Sequence, residues 1–400
     1  MREKASELEP FALERYFARH EFTAPFLLSP SDTEPLAMVD LLALADDDAR
    51  SRWERMVLGY TESRGLPALR TAIASFVSEA FGVSRCVIGP EDVLVFSCAE
   101  EAIYCIVRAM VRPGDEVACT WPAYQSLFEV ARAIGATVRP IPLVMVRGCW
   151  DLDPEAIQEA ITGRTRLVVT NVPHNPTGMV PSPGSWSLLL DRLAETGSWH
   201  LADEVYRPLA HPGVTLPPSP VLDQPRTISL GSVSKAFGLA GVRIGWAACK
   251  DPEILGRLEQ YKDYTTICAS APSEILALAA LRAWRVIVAG QQAIIDANAP
   301  ALESLAASFP DLVDVPMPSG GSTAFPLWRG PGDAEAMADR AVNEAGVMVL
   351  PGSVFDPRLV GSKDLHLERR FRIGLGRRDF PQVAARLGAH LSRTYQTRQG

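Results

Sequence analysis

Between residues 92 and 250 the chain alternates between short apolar runs and amphipathic ones, and that alternation limits the folds open to it. The runs Val93–Phe96, Glu116–Thr120, Thr137–Leu143, Arg166–Asn171, His200–Asp203, Thr227–Leu230 and Arg243–Ala248 read as strands. Segments of helical period stand between the earlier ones: Glu100–Met110, Ser126–Ile134, Pro154–Ile161 and Trp186–Glu195. Strands that are apolar along their whole length need cover on both faces, which is the habit of a mostly parallel sheet with helices above and below. The expectation is an α/β domain on a mostly parallel, seven-stranded sheet covered by helices. In such sheets ligands gather beyond the carboxyl ends of the strands. The polar residues that follow these runs are Ser97, Tyr124, Asn175, Asp203, Ser232 and Lys235.

Flanking segments complete the plan. Pro10–His20 reads as a short helical arm, and Ala24–Leu28 leads into the turn-rich loop Ser29-Pro-Ser-Asp-Thr-Glu-Pro35. A loop carrying Tyr60 precedes an amphipathic helix from Pro67 to about Phe81, with Leu69, Ile73, Phe76 and Val77 at helical spacing. Residues 251–309 are largely helical, including a long stretch from Pro272 to about Ala297, broken by Pro300. Pro316–Gly321 marks a change of regime. Strand Thr323–Trp328, helix Asp333–Ala345, strands Val347–Leu350 and Phe371–Leu375 and helix Phe380–Ser392 then predict a smaller α+β C-terminal domain. The expected division is an arm and substrate loop over residues 1–48, a large domain over 49–285 and a small domain over 286–400. The loop Pro208–Pro225 reads as surface.

A net charge of -8 argues against a nucleic-acid or anionic-membrane partner. No apolar run approaches bilayer-spanning length, and Met1–Arg19 is charged where an export leader would be apolar, so the expected location is cytoplasmic. The 7 cysteines fall singly, with no C-x-x-C pair, and read as reduced thiols without a metal site.

Chemistry concentrates in Gly231-Ser-Val-Ser-Lys235-Ala-Phe-Gly-Leu-Ala-Gly-Val-Arg243. Lys235 has hydroxyls at Ser232 and Ser234 and lies in a Gly-rich stretch between two apolar strands. A lysine there loses hydration, and its amine is suited to form an imine with an aldehyde. Taken alone, the stretch equally permits a lysine that ends a strand and faces solvent. Other segments weigh in. Asn171-Val-Pro-His-Asn-Pro-Thr-Gly178 follows one strand, Ala202-Asp-Glu-Val-Tyr206 ends another, and Phe371-Arg-Ile-Gly-Leu375 lies near the C-terminus. In this order and spacing the segments resemble the class I/II aminotransferase family, pyridoxal 5'-phosphate (PLP) enzymes of fold type I. The resemblance runs from about Tyr60 to the C-terminus.

That resemblance implies a catalytic set of Lys235, Asp203 and Tyr206. Lys235 would hold PLP as a Schiff base and then move the substrate α-proton. Asp203 would keep the ring nitrogen protonated, which the cofactor needs as an electron sink. Asn175 and Tyr206 would hydrogen-bond the phenolic oxygen, and Tyr124 would stack on the ring. The phosphate would meet the backbone of Ala99 and Glu100 at a helix start, the side chains of Ser232 and Arg243, and Tyr60 of a neighbouring subunit, making a homodimer. Arg372, with Asn175 and Thr33, would bind the substrate, the arginine clamping its α-carboxylate. Arg370, Arg377 and Arg378 read as surface charges. Cis peptide bonds are expected before Pro122 and Pro176.

Two departures stand out: Cys98 replaces a usual glycine, and Ser31-Asp-Thr-Glu-Pro35 replaces a Gly-containing substrate loop. Asp32 and Glu34 read either as solvated loop charges or as the rim of a pocket for a cationic, arginine-like amino acid. The implied activity is amino transfer between an α-amino acid and a 2-oxo acid. The same fold also supports elimination, replacement, cyclisation or oxidation of an amino acid in biosynthesis, and least readily a non-catalytic PLP-binding role.

Overall fold

The computed structural model describes residues 7–80, 88–356 and 365–396. The alternating region forms one sheet of β1 (Val93–Phe96), β2 (Glu116–Trp121), β3 (Thr137–Val146), β4 (Cys149–Leu152), β5 (Thr165–Asn171), β6 (Trp199–Asp203), β7 (Thr227–Ser232) and β8 (Gly245–Ala248). Their spatial order is β1-β8-β7-β6-β5-β2-β3-β4. The run from β3 to β7 is parallel, whereas β8 is antiparallel to both β7 and β1. Every residue of β1, β2, β6, β7 and β8 is buried, as expected of the mainly apolar strands of a sheet covered on both faces.

The sheet has eight strands where the sequence predicts seven. Beyond Leu143 the chain stays extended to Val146, turns through Arg147 and Gly148 at φ 51° and 83°, and returns as β4. A two-residue turn with both residues left-handed matches the twist of a hairpin. Gly148 advertises that geometry in the sequence; Arg147 does not.

Other boundaries shift for local reasons. The long helical stretch divides at Ala283, between Ala271–Arg282 and Trp284–Ser308, while Pro300 lies inside the second helix. Proline removes one donor, but Leu302 and Leu305 bury beyond it and hold the last turns. The helix from Pro67 is described as far as Ala80; Phe81 and Cys86 lie outside the described residues. The 6 described cysteines are free. The predicted strand Thr323–Trp328 is two pieces either side of Phe325 and Pro326. Its first piece, β9 (Thr323–Ala324), joins β10 (Leu350–Pro351) and β11 (Phe371–Gly374) in an antiparallel sheet with β11 at the centre. No helix among the described residues is long and apolar enough to cross a membrane.

Among the described residues four X-Pro bonds are cis: the expected pair before Pro122 and Pro176, and those before Pro173 and Pro208. The last opens the proline-rich loop. Arg207, in a buried ion pair with Glu204 at 2.9 Å, donates to the Pro217 carbonyl at 2.8 Å. Glu204 also accepts the hydroxyls of Ser219 and Ser229, so one buried acid ties the loop to β7.

The N-terminal segment docks across the C-terminal unit. Gly374 N donates to the Leu28 carbonyl at 2.8 Å, and Leu28 N to the Met348 carbonyl at 2.9 Å. A Cβ on Gly374 would stand 1.7 Å from the Pro30 carbonyl oxygen, so only glycine lets loop 29–33 lie on β11. Gly374→Ala should therefore displace that loop, lowering the thermal midpoint by the equivalent of about 1–3 kcal/mol and lowering turnover with it. Thermal unfolding monitored by circular dichroism tests this; an unchanged midpoint would refute the docking argument.

Candidate active site

At the carboxyl ends of the central strands the chain encloses a cavity of about 390 Å³. Asp203, the last residue of β6, faces it from the floor and is buried. Its Oδ1 accepts from Val205 N at 3.2 Å. Burial pushes the carboxyl up to about 7, with Glu204 and Glu100 adding to the rise and Lys235 opposing it. Asn171, which ends β5, donates to the Asp203 carbonyl at 3.2 Å and accepts from Asn175 N at 2.6 Å. The end of β5 and the Asn-Pro turn are thus fastened to the strand that carries the acid. No site role for Asn171 was expected; its signal is an Asn at a strand end four residues before an Asn-Pro pair.

Lys235 follows β7 by three residues and is half-buried in the cavity wall. Its Nζ donates to Ser31 Oγ at 3.1 Å. Its carbonyl accepts Thr33 Oγ1 at 2.7 Å. Thr33 is fully buried and is absent from the cavity lining, so in place of the expected substrate contact its hydroxyl anchors the backbone of the lysine. Ser31, which it brings along, is the loop hydroxyl that reaches the amine. The Ser31 carbonyl is pinned in turn by Ser322 Oγ at 2.6 Å.

One end of the cavity gathers groups that could hold an anion. Cys98 and Ala99 enter α2 (Ala99–Met110), and both line the cavity with Ser232, Ser234 and Arg243. Cys98 has φ 143°, a backbone state that side chains disfavour and glycine tolerates. A Cβ on Gly245 would lie 2.4 Å from Ala99 N, so this glycine admits the helix start against β8. Ser232 Oγ accepts from Ser234 N at 2.8 Å. Arg243 sits at φ 55°, outside β8, and donates to the Ala240 carbonyl at 3.0 Å. Ser97 N is engaged by Glu101 Oε2 at 2.7 Å, and Ser97 is not among the lining residues.

Glu100 enters with its side chain as well as its backbone. The carboxyl lies inside the cavity, accepts Ser126 Oγ at 3.2 Å, and is pushed up to about 7 by burial, with Glu14 adding to the rise. Tyr124 and Tyr206 also line the wall, and Tyr124 packs 5.1 Å, centroid to centroid, from Phe11 of the arm.

Opposite stands Arg372, in the middle of β11 and buried. Nε donates to the Ser29 carbonyl at 3.1 Å and Nη1 to Asn175 Oδ1 at 2.9 Å. Its guanidinium lies over the rings of Phe17 and Phe355 at 5.9 and 5.6 Å. Its neighbours correct the surface reading of two arginines. Arg370 is buried, donates to the Leu365 carbonyl at 2.8 Å and stacks 4.5 Å over Trp150. Arg377 is half-buried and binds both oxygens of Asp32 at 3.0 and 2.9 Å. Arg378 is exposed, and its backbone N–H is held by Glu34 Oε2 at 3.0 Å. Asp32 therefore faces the cavity already neutralised, and Glu34 is engaged by backbone elsewhere.

The arm contributes what the sequence did not announce. Helix α1 (Ala12–His20) and the residue after it set Leu13, Glu14, Phe17 and Glu21 on the cavity wall. The spacing of Glu14, Phe17 and Glu21 places them on one helical face, a pattern visible in the sequence but without a stated partner. Tyr60 lies outside its own chain's cavity and is 90% exposed.

The family model for aminotransferase class I and II matches residues 41–379. Capreomycidine synthase of Streptomyces vinaceus is 32% identical over 96% of this chain and 94% of its own. The arginine–pyruvate transaminase of Pseudomonas aeruginosa is 32% identical over 76% of each chain. Among solved structures, the PLP-dependent cyclase OrfR superposes with a TM-score of 0.84 at 28% identity, covering 100% of both chains.

The raised Glu100 gives a pH signature. A carboxyl held above its unfolded value binds its proton more tightly when folded, so it destabilises the fold as pH rises from about 4.5 to about 7. Glu100→Gln should flatten the fall of the thermal midpoint across that window. Scans of both proteins at several pH values check it, and parallel profiles would contradict it.

Proposed function

The chain belongs to the aminotransferase class I and II family, and from that premise we propose that it transfers the amino group of an α-amino acid to a 2-oxo acid. It is a PLP-dependent transferase. The observation that carries the finer reading is the convergence of Lys235, Asp203 and Arg372 on one cavity.

The residues suit the cofactor. A buried carboxyl at Asp203 calls for a cation, which a protonated pyridine nitrogen supplies. Arg243, Ser232 and the start of α2 offer a guanidinium, a hydroxyl and backbone donors for a phosphate. Asn175 and Tyr206 face the intervening space, and Tyr124 offers an aromatic face. When bound, PLP supplies the electron sink that stabilises negative charge at the substrate α-carbon.

The chain's own groups do the rest. Arg372 binds the α-carboxylate through charge-assisted hydrogen bonds, and its bond to Asn175 fixes the direction of the guanidinium. The Lys235 amine takes the proton from the α-carbon, and Ser31 and Thr33 hold that lysine by its amine and its carbonyl. Asp203 keeps its countercharge in a water-poor site, where the pairing is strongest. The arm and loop 29–33 roof the cavity and exclude solvent. The arm and loop of residues 1–48, a large unit over 49–285 and a small one over 286–400 make up the working assembly, with the cavity at their junction.

Two copies are part of this reading. Val57, Leu58 and Tyr60 are 83%, 79% and 90% exposed, and Tyr264 beside them in the fold is 93% exposed. Ser63 Oγ joins the two segments by donating to the Ile267 carbonyl at 2.9 Å. Such an apolar patch calls for cover, and a second subunit would bring Tyr60 to its neighbour's phosphate end. Leu58→Asp should move the protein from dimer to monomer in sedimentation velocity and release PLP. A wild-type monomer that keeps its cofactor would end this part of the reading.

A second reading has its own support. The relatives matched over nearly their full length include a capreomycidine synthase and a PLP-dependent cyclase. The two readings differ in products. Amino transfer yields a 2-oxo acid and requires an acceptor for sustained turnover; cyclisation needs no acceptor and retains the α-nitrogen. Incubation of the PLP-loaded protein with single amino acids, with and without pyruvate, and mass analysis of products separates them. Lys235→Ala should lower either turnover by at least about 10³-fold, whereas retained activity would remove the lysine from the chemistry.

A further inference from the structure

Charges around the cavity do not balance once each expected partner is assigned. The anionic side chains on its wall are Glu14, Glu21, Asp32, Glu100 and Asp203; the cationic ones are Lys235, Arg243 and Arg372. Asp32 is already paired with Arg377. On the functional reading above, Asp203 faces a pyridinium, Arg243 a phosphate and Arg372 a carboxylate. Glu100 sits deep in the cavity with its proton affinity raised to near neutrality and a hydroxyl on one oxygen. Glu14 and Glu21 are left over.

Glu14 is exposed and Glu21 half-buried, and both line the cavity. Both project from one face of the arm into the wall, either side of Phe17, whose ring lies against the Arg372 guanidinium. Burial and the nearby Asp32 and Glu14 raise the Glu21 carboxyl above its usual range, against the weaker pull of Arg377 and Lys235. Glu14 bears electrostatically on Glu100, Tyr124 and Arg372 as well. Like charges massed on a substrate wall repel one another until a cation arrives. The carboxylate clamp fixes one end of an amino acid at Arg372, and the arm lies beyond it.

We infer that Glu14 and Glu21 form the side-chain subsite of this cavity and select an amino acid with a cationic side chain, a guanidinium or an ammonium. The inference rests on the reading of the cavity as an amino-acid site. It also relocates the acidic rim. Asp32 and Glu34, the acids of the substrate loop itself, are engaged with Arg377 and the Arg378 backbone. The selecting acids come instead from the arm before them, Glu14 on α1 and Glu21 just after it. Phe17 adds an apolar surface along which a methylene chain can lie.

The test uses the PLP-loaded protein, with L-arginine, L-lysine and the neutral L-norleucine as substrates. It uses 5-guanidinopentanoate and hexanoate as unreactive ligands. For the wild type, kcat/KM should favour the cationic amino acids over norleucine by at least tenfold, with arginine against lysine telling guanidinium from ammonium. In Glu14→Gln/Glu21→Gln that ratio should collapse at least tenfold. Calorimetry should show 5-guanidinopentanoate binding at least tenfold tighter than hexanoate, with the margin lost in the double variant and eroded by salt. Equal binding of the two acids, or a margin untouched by the double variant, would overturn the inference while leaving turnover of norleucine as evidence for the enzyme. Absence of turnover with every amino acid, alongside intact selective binding of the guanidino acid, would instead overturn the catalytic reading and keep the subsite.

Discussion

A carboxyl group buried at the end of a central strand is the constraint around which this molecule is arranged. Asp203 is shut away from water, and burial raises its proton affinity by enough to make it titrate near neutrality. A protein tolerates such a group when something in its surroundings needs a negative charge. Here the amine of Lys235 lies on the next strand's exit, and the backbone at Val205 offers one donor. Asn171 closes the arrangement by holding the Asp203 carbonyl and the Asn175 amide together, so the acid, the Asn-Pro turn and the Arg372 guanidinium form one hydrogen-bonded chain. Apolar strands on both sides make that chain rigid.

Much of this was legible in the sequence because the sheet leaves a strong trace. Continuous apolar runs separated by amphipathic ones announce a covered parallel sheet, and polar residues just past those runs announce the edge where ligands bind. Of the six polar residues past those runs, Asp203, Ser232, Lys235, Tyr124 and Asn175 line the cavity, and Ser97 does not. The hairpin strand β4 escaped because half its turn is an arginine held at positive φ, a state residue type does not reveal. Arg370 was misread for a related reason. A guanidinium satisfied by backbone carbonyls and stacked on an indole looks, in one dimension, like any charged residue beside a strand.

The roof was the least legible part. Nothing local in Thr33 says that its hydroxyl will meet a carbonyl 202 positions later, and nothing in Glu14 or Glu21 says which surface α1 will cover. Those contacts follow from how the N-terminal segment crosses β11, which depends on Gly374 and Gly376 leaving room for the backbone of residues 30, 32 and 33. A glycine's meaning of this kind is set by what passes over it. The sequence records the small residue but not the visitor.

Loop 29–33 touches both sides of the cavity: the Ser29 carbonyl accepts from Arg372, while Ser31 and Thr33 hold Lys235, the groups to which the proposed function gives the substrate carboxylate and the α-proton. Five consecutive residues thus tie the two groups together, so on that proposal grip on the substrate and readiness of the base move as one. The arm just upstream is held elsewhere, by Gln125 and by the Val349 carbonyl. Selection acting on α1 can retune the diet of the enzyme while the machinery beneath is inherited intact, which makes the first helix the natural place for sister proteins on this scaffold to diverge.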